Sequence, residues 1–309
     1  MVWSLFHIVY KGPQTMLLLH LLLLWGGVLL LCYSNDKNQF RFLYLLIPFT
    51  PYILSQSGTV WKDIGFSFGT FFICTTCIFY ISRQKIAPLP IVLGLLLICF
   101  YIVGIKFQAK FIAPILVFLI LSIYLKRSSV IKFMVCTIIS LTIIYANILL
   151  TNHFSINTHS EQIRQLFDLT GISVRINNDD IFPKYIKQSP IYNFEQLKVN
   201  YTSQWVDTLI YGDNPIFKVT LDLEQLKELD SAFFKAIIQY PNQYLTHRIM
   251  NFTKAMLSGS FKDYAIVSDV KKAKELGIDC NDENKFKVYV TKYLKIFPSF
   301  LAKTIIFLY

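Results

Sequence analysis

The stretch SQSGTVWKDIGFSFG, Ser55 to Gly69, is a short polar hinge set between two apolar runs, Phe42–Leu54 before it and Ile64–Ser82 after it. A run such as Ile64–Ser82 is long enough to cross a bilayer, because a hydrocarbon core of about 30 Å takes about 20 helical residues. Working outward, four more apolar runs follow or precede the hinge: Thr15–Tyr33, Pro88–Ile105, Phe111–Leu125 and Val130–Leu150. Phe42–Leu54 is short and holds Pro48 and Pro51, so it is expected either to kink or to extend into Ser55–Gly58. Phe111–Leu125 is marginal in length. The polar connections are short, so neighbouring helices are expected to run antiparallel. The expected fold is mainly α: a polytopic transmembrane bundle of about six spans over residues 1–150, with part of a seventh at 288–309. A mixed, mostly helical polar domain, residues 151–287, lies between.

Composition agrees with this class. The chain is 309 residues, 54% hydrophobic, with a mean hydropathy of +0.47, well above the balance of a soluble domain. Charge is uneven. Eleven bases and two acids, Asp36 and Asp63, precede Thr151, a net +9; nineteen bases and seventeen acids follow, a net +2. Short basic loops between apolar runs are a topology signal. No basic stripe interleaved with aromatics stands in the polar half, so a nucleic-acid partner is not expected. Lys37/Arg41, Arg83/Lys85 and Lys126/Arg127 alternate along the chain and mark cytoplasmic loops. The N-terminus, Ser55–Asp63, Lys106–Lys110 and everything from Thr151 onward are then expected on the outer side of an inner membrane. The outward pair Lys106 and Lys110 runs against the bias. The first residues lack a basic n-region and a small-residue cleavage site, so Thr15–Tyr33 reads as a retained span.

Two places carry candidate chemistry. Asp63 is the one carboxylate between Asn38 and Leu150. At a membrane edge it can act as a general base or hold a divalent metal, with Lys62 as a phosphate partner and Trp61 as an interfacial anchor. Equally, Asp63 and Lys62 can simply flank a helix start, where an acid suits the helix dipole. Lys106 and Lys110, four residues apart, form a compact positive spot suited to a lipid-linked phosphate; equally, they can be hairpin lysines snorkelling to headgroups. Cys74-x-x-Cys77 lies in an apolar run with no further ligand nearby, so it reads as two packing residues. His20, inside an apolar run, reads as a packing or hydrogen-bonding residue. No cofactor is expected beyond the metal option at Asp63, for no His pair, phosphate loop or serine elbow has the right spacing.

In the polar half, Asn152–Asn178 mixes a helix signal with a turn at Gly171. Leu223–Gln239 reads as an amphipathic helix with Leu226, Leu229, Phe233, Phe234, Ile237 and Ile238 on its apolar side. Pro241 ends it, and Asn242 caps a second helix whose apolar side is Leu245, Ile249, Phe252 and Met256, with His247, Arg248 and Lys254 on a solvated side.

TVWKDIGFSFG, the basic loop and span after it, and GIKFQAKFIAPILVFLI are together similar to bacterial multi-span proteins of the GT-C glycosyltransferase type, the protein O-mannosyltransferase-like and aminoarabinose-transferase-like enzymes. VWSLFHIVYKGPQTMLLLHLLLLWGGVLLL resembles the first return of that family into the membrane. FDLTGISV, IFPKYI and AIIQYPNQYLTHRIMNF resemble recurring blocks of its outward segment. The resemblance covers most of the chain in order, and each block alone is weak. It implies sugar transfer from a polyprenyl-phosphate-linked donor on the outward side. It also implies a catalytic acid in the first outward loop, shortly before a His-Pro-Pro run. Neither the acid nor that run is present, and the chain stops where such proteins continue. The resemblance therefore implies a chain shortened at both ends and not catalytic alone, its missing carboxylate supplied by the product of an adjacent reading frame. If the chain acts, Asp63 would stand at the acceptor or metal side and Lys106, Lys110 and Lys62 would hold the donor phosphate. The alternative is a non-catalytic membrane or envelope assembly protein whose outward domain binds a partner.

Overall fold

A computed structural model describes residues 13–34, 38–58, 60–125, 129–154, 159–203, 206–211, 214–257, 288–289 and 292–293. Every regular element among them is helical. The chain divides into two compact units, with the break after Ser155. The expected apolar segment 288–309 falls outside the described residues except at four positions, as do Lys37, Lys126 and Arg127.

The first unit is built from α1 (Gln14–Ser34), a 3-10 helix (Gln39–Phe49), α2 (Pro51–Ser57), α3 (Lys62–Ser82), α4 (Leu89–Ile105), α5 (Ala109–Ser122) and α6 (Ser129–Phe154). Three of these helices are long and apolar enough to cross a membrane: α1, α3 and the Val130–Phe154 part of α6. α3, at 21 residues, is about 31 Å long. The 3-10 helix, α4 and α5 are apolar but shorter, so length and composition carry three spans rather than six.

The kink expected in Phe42–Leu54 is a full break. The chain runs as a 3-10 helix with Pro48 inside it, turns at Thr50 and restarts with Pro51 at the first helical position of α2, where its missing N–H costs nothing. α1 and α3 approach closely because Gly26 and Gly27 lie under the rings of Phe72 and Phe71. The α3 hydroxyls of Thr75 and Thr76 donate to the Phe71 and Phe72 carbonyls, so these buried polar groups are satisfied within the helix. Cys77 is buried and Cys74 half-buried on the same helix, both as free thiols.

The second unit packs α7 (Glu161–Ile176), α8 (Lys184–Lys187), α9 (Phe194–Asn200), α10 (Asp207–Ile210), α11 (Leu223–Gln239) and α12 (Pro241–Leu257) around Leu166, Leu169, Ile172, Leu197, Leu209, Ile216 and Leu229. α11 has the expected bounds. Asp222 caps it, its carboxylate accepting from Glu224 N–H at 2.8 Å. Leu226, Leu229 and Phe233 face the core as expected, whereas Phe234 and Ile238 are exposed.

Three expectations fail here. Gly171 is not a turn but lies within α7, which runs unbroken to Ile176 and ends on Asn177 in the left-handed conformation, φ 50°. α12 begins at Pro241 rather than being capped by Asn242. Its apolar side is turned out, with Leu245, Ile249 and Phe252 exposed, and of its expected solvated side Lys254 is exposed and Arg248 half-buried but His247 is fully buried.

Candidate functional site

Asp63 lies in the first turn of α3, and its carboxylate faces the positive end of that helix. Lys106 is the C-cap of α4, where a cation suits the negative end. α3 and α4 are joined by a six-residue connection and run antiparallel, which brings these two ends together. The Lys106 Nζ donates to Asp63 Oδ1 in an ion pair across 43 residues of sequence. The same ammonium stands 5.4 Å from the centroid of the Phe66 ring. Lys110, just inside α5, places its Nζ 4.7 Å over the Phe107 ring rather than beside Lys106's carboxylate partner. Lys62 is exposed at the start of α3.

This arrangement splits the predicted site. Asp63 and Lys106, assigned to opposite ends of a reaction, are partners of each other. In this contact the Asp63 oxygen and the Lys106 ammonium face each other rather than a substrate hydroxyl or a phosphate. Lys62 is exposed and Lys110 lies half-buried over the Phe107 ring, and neither stands beside the Asp63 carboxylate's bound oxygen.

A second polar layer crosses the same unit from α1 to α6. His20 is 1% exposed and its Nε2 lies 2.8 Å from the Tyr101 hydroxyl. Gly65 makes this possible: a Cβ there would come within 2.6 Å of His20 Nε2 and 2.7 Å of the Tyr101 oxygen. Asn147, buried in α6, donates from Nδ2 to the carbonyls of Ile143 at 3.0 Å and Phe100 at 3.3 Å. Its Oδ1 rests against Gly104, with no room for a side chain between them. Sequence reading placed His20 as a packing or hydrogen-bonding residue and did not single out Tyr101 or Asn147. The available signal was a glycine in each facing helix and one asparagine in an apolar run.

The second unit holds a buried ionic network that sequence reading missed. Asp168 on α7 has no exposed side-chain surface. Its Oδ1 lies 3.2 Å from His247 Nε2 and its Oδ2 3.2 Å from the Arg248 guanidinium. His247 Nδ1 is 2.7 Å from the Tyr201 hydroxyl. Arg175 donates to the Gly171 carbonyl at 2.6 Å and to the Tyr201 oxygen at 3.3 Å. Burial pushes the Tyr201 phenol above its usual range, against the opposing effect of Arg175. The histidine ring packs directly on the α7 backbone at Gly171. An aspartate oriented on a histidine has the form of a catalytic pair, but a working base must reach a substrate proton, and here both side chains are sealed from solvent. The network ties α7, α12 and the Tyr201 segment together.

A cavity of about 340 Å³ opens on the second unit, lined by Leu166, Tyr185, Ile216, Phe217, Lys218 and Gln225 among others. Its lining has no carboxylate and no histidine. Tyr185 is pushed up to about 12, by burial first and by the Glu228 charge second, so it stays a neutral phenol. Among the described residues no group of three or more His, Cys, Asp or Glu side chains gathers that could hold a metal ion. No family model matches the chain, and neither a curated protein nor a solved structure shows significant similarity to it.

Proposed function

We propose that this chain is a multi-pass membrane protein that transfers no sugar by itself and works by binding at the outer face of the bilayer. The observation that carries this reading is the Asp63–Lys106 ion pair. Glycosyl transfer to a hydroxyl needs a positioned base, typically worth about two to four orders of magnitude in rate. In the first unit Asp63 is the one carboxylate among the described residues, and it is committed to a lysine. Lys62 and Lys110 remain for anionic headgroups, including a polyprenyl phosphate.

In this reading α4 and α5 also sit within the bilayer, paired with the longer helices, giving about six passes with residues beyond Thr151 outside the cytoplasm of an inner membrane. Reporter fusions at Ser34, Gln84 and Asn178 test the topology; cytoplasmic reporter activity at Asn178 would overturn it. The test of function is the purified chain with polyprenyl-phosphate sugars and peptide or lipid acceptors, alone and with the product of the adjacent reading frame. No turnover by the lone chain is expected. Turnover abolished by Asp63→Asn would establish Asp63 as the base and sink the reading. The GT-C resemblance enters as the alternative in which the lone chain is the lipid-phosphate-binding part of a two-chain transferase. Turnover restored by the second polypeptide would select that alternative.

A further inference from the structure

Helix α12 shows its apolar ridge to solvent. Leu245, Ile249 and Phe252 are 57%, 55% and 64% exposed, and their spacing of four and three residues puts them on one side of the helix. The cause is His247. It stands two residues from both Leu245 and Ile249, on the opposite side of the helix, and is drawn inward by Asp168 and Tyr201. Burying a polar residue in this way commits the apolar ridge to the outside. The neighbouring helix α11 adds exposed Phe234 and Ile238, four residues apart, with Lys235 exposed between them.

Scattered exposed apolar residues need no explanation, but three in register on one helix form a row that calls for a partner. Charge points to its chemistry. Pro241–Leu257 contains Arg248 and Lys254 and not one acid. A helix with aromatic and aliphatic residues in one exposed row and basic residues but no carboxylate on the rest of its surface is the form that lies in a headgroup layer. The chain itself carries helices long and apolar enough to anchor every copy at a bilayer. Lipid is thus within reach of this domain at an effective concentration no free partner matches.

We infer that α12 docks on the lipid leaflet, with Leu245, Ile249 and Phe252 inserted at the acyl boundary. This goes beyond the proposed function, and its test does not depend on whether the chain transfers sugar.

The experiment uses the full chain in nanodiscs of phosphatidylcholine and phosphatidylglycerol. The photoreactive p-benzoylphenylalanine replaces Phe252 or Ile249, and Glu195 on α9 serves as an exposed control. The products are read by mass spectrometry. Adducts to phospholipid are expected at Phe252 and Ile249, several-fold above the Glu195 control. A Leu245 reporter should lose most of its lipid adduct when Ile249→Asp and Phe252→Asp are combined, while hydrogen exchange of α7 stays as in the parent chain, showing that the fold is kept. Three results would overturn the inference: adducts to a second copy of the chain, adducts within the same chain in place of lipid, or lipid labelling no higher than at Glu195.

Discussion

Replacing Gly171 by alanine tests how far the buried ionic network governs the second unit. A Cβ built at Gly171 would lie 2.2 Å from His247 Nδ1 and 2.3 Å from Cγ. Carbon contacts are comfortable near 3.5–4.0 Å, so the ring must retreat by more than about 1 Å. That motion breaks the 2.7 Å bond to Tyr201 and opens the 3.2 Å contact to Asp168. Each buried polar group stripped of its partner costs about 1–3 kcal/mol. Alanine recovers about 1 kcal/mol of helix propensity over glycine, which leaves a net loss of about 3 kcal/mol for Gly171→Ala.

His247→Ala is itself destabilising, because it strands the Asp168 charge beside Arg248 alone. In that background, however, the obstacle to the new methyl is gone. Gly171→Ala should there be stabilising by about 0.5–1 kcal/mol. The sign of one substitution reverses with the presence of one ring. Hydrogen exchange of α7 amides in the full chain reads this locally: Gly171→Ala alone should speed exchange about a hundredfold, since each 1.4 kcal/mol is a factor of ten. In the His247→Ala background the same change should slow exchange. Equal losses in both backgrounds would refute the claim that Gly171 exists to seat the histidine.

A double-mutant cycle of Asp63→Asn and Lys106→Gln isolates the pair: each single loss should be about 1 kcal/mol or less for a pair this exposed, read as the unfolding midpoint in detergent, and the double loss should fall short of their sum. Strictly additive losses would show that the contact is incidental. Gln at both Lys62 and Lys110 should weaken binding to polyprenyl phosphate while leaving membrane insertion intact, and unchanged binding would reduce both to anchors. Asp180 is held below the usual carboxylate range, by the hydrogen bond from Lys187 first and that involving Asn178 next. A depressed folded value gives stability that is present above the unfolded carboxylate value, about pH 4, and lost as pH falls through the folded one. Asp180→Asn should therefore lower the melting temperature slightly at neutral pH, with a difference that closes as pH falls through the folded value; a difference that stays the same down to low pH would refute this.

Hydrophobic run length gave the helices of the first unit to within a few residues, because a span must satisfy its backbone internally and therefore announces itself as an unbroken apolar stretch. α3 was legible from Ile64–Ser82 and α6 from Val130–Leu150. The apolar pattern of α11 was equally plain, and its bounds follow from Asp222 and Pro241. The same reasoning misread α12. Periodicity reports that a helix has two faces and is silent on which face turns inward. The usual choice, apolar inward, loses here to an ionic network whose members come from α7, the segment after α9 and α12.

The Asp63–Lys106 pair was hidden for a related reason. Sequence places Lys62 next to Asp63, and adjacency suggests a partnership. Consecutive residues on a helix point about 100° apart, however, so neighbours in sequence are poor partners in space. A lysine 43 residues away, on the end of an antiparallel helix, is a better one. The consequence reaches the chemistry. Had Asp63 stood alone at the edge of the bundle, its carboxylate would be available to a substrate hydroxyl and the lysines to a phosphate. Pairing converts the two strongest candidate groups into a clamp between the ends of α3 and α4. The cations left at this end of the bundle, Lys62 and Lys110, can attract an anionic headgroup. The Asp63–Lys106 contact is therefore the observation on which the proposal of a binding rather than a transferring unit rests.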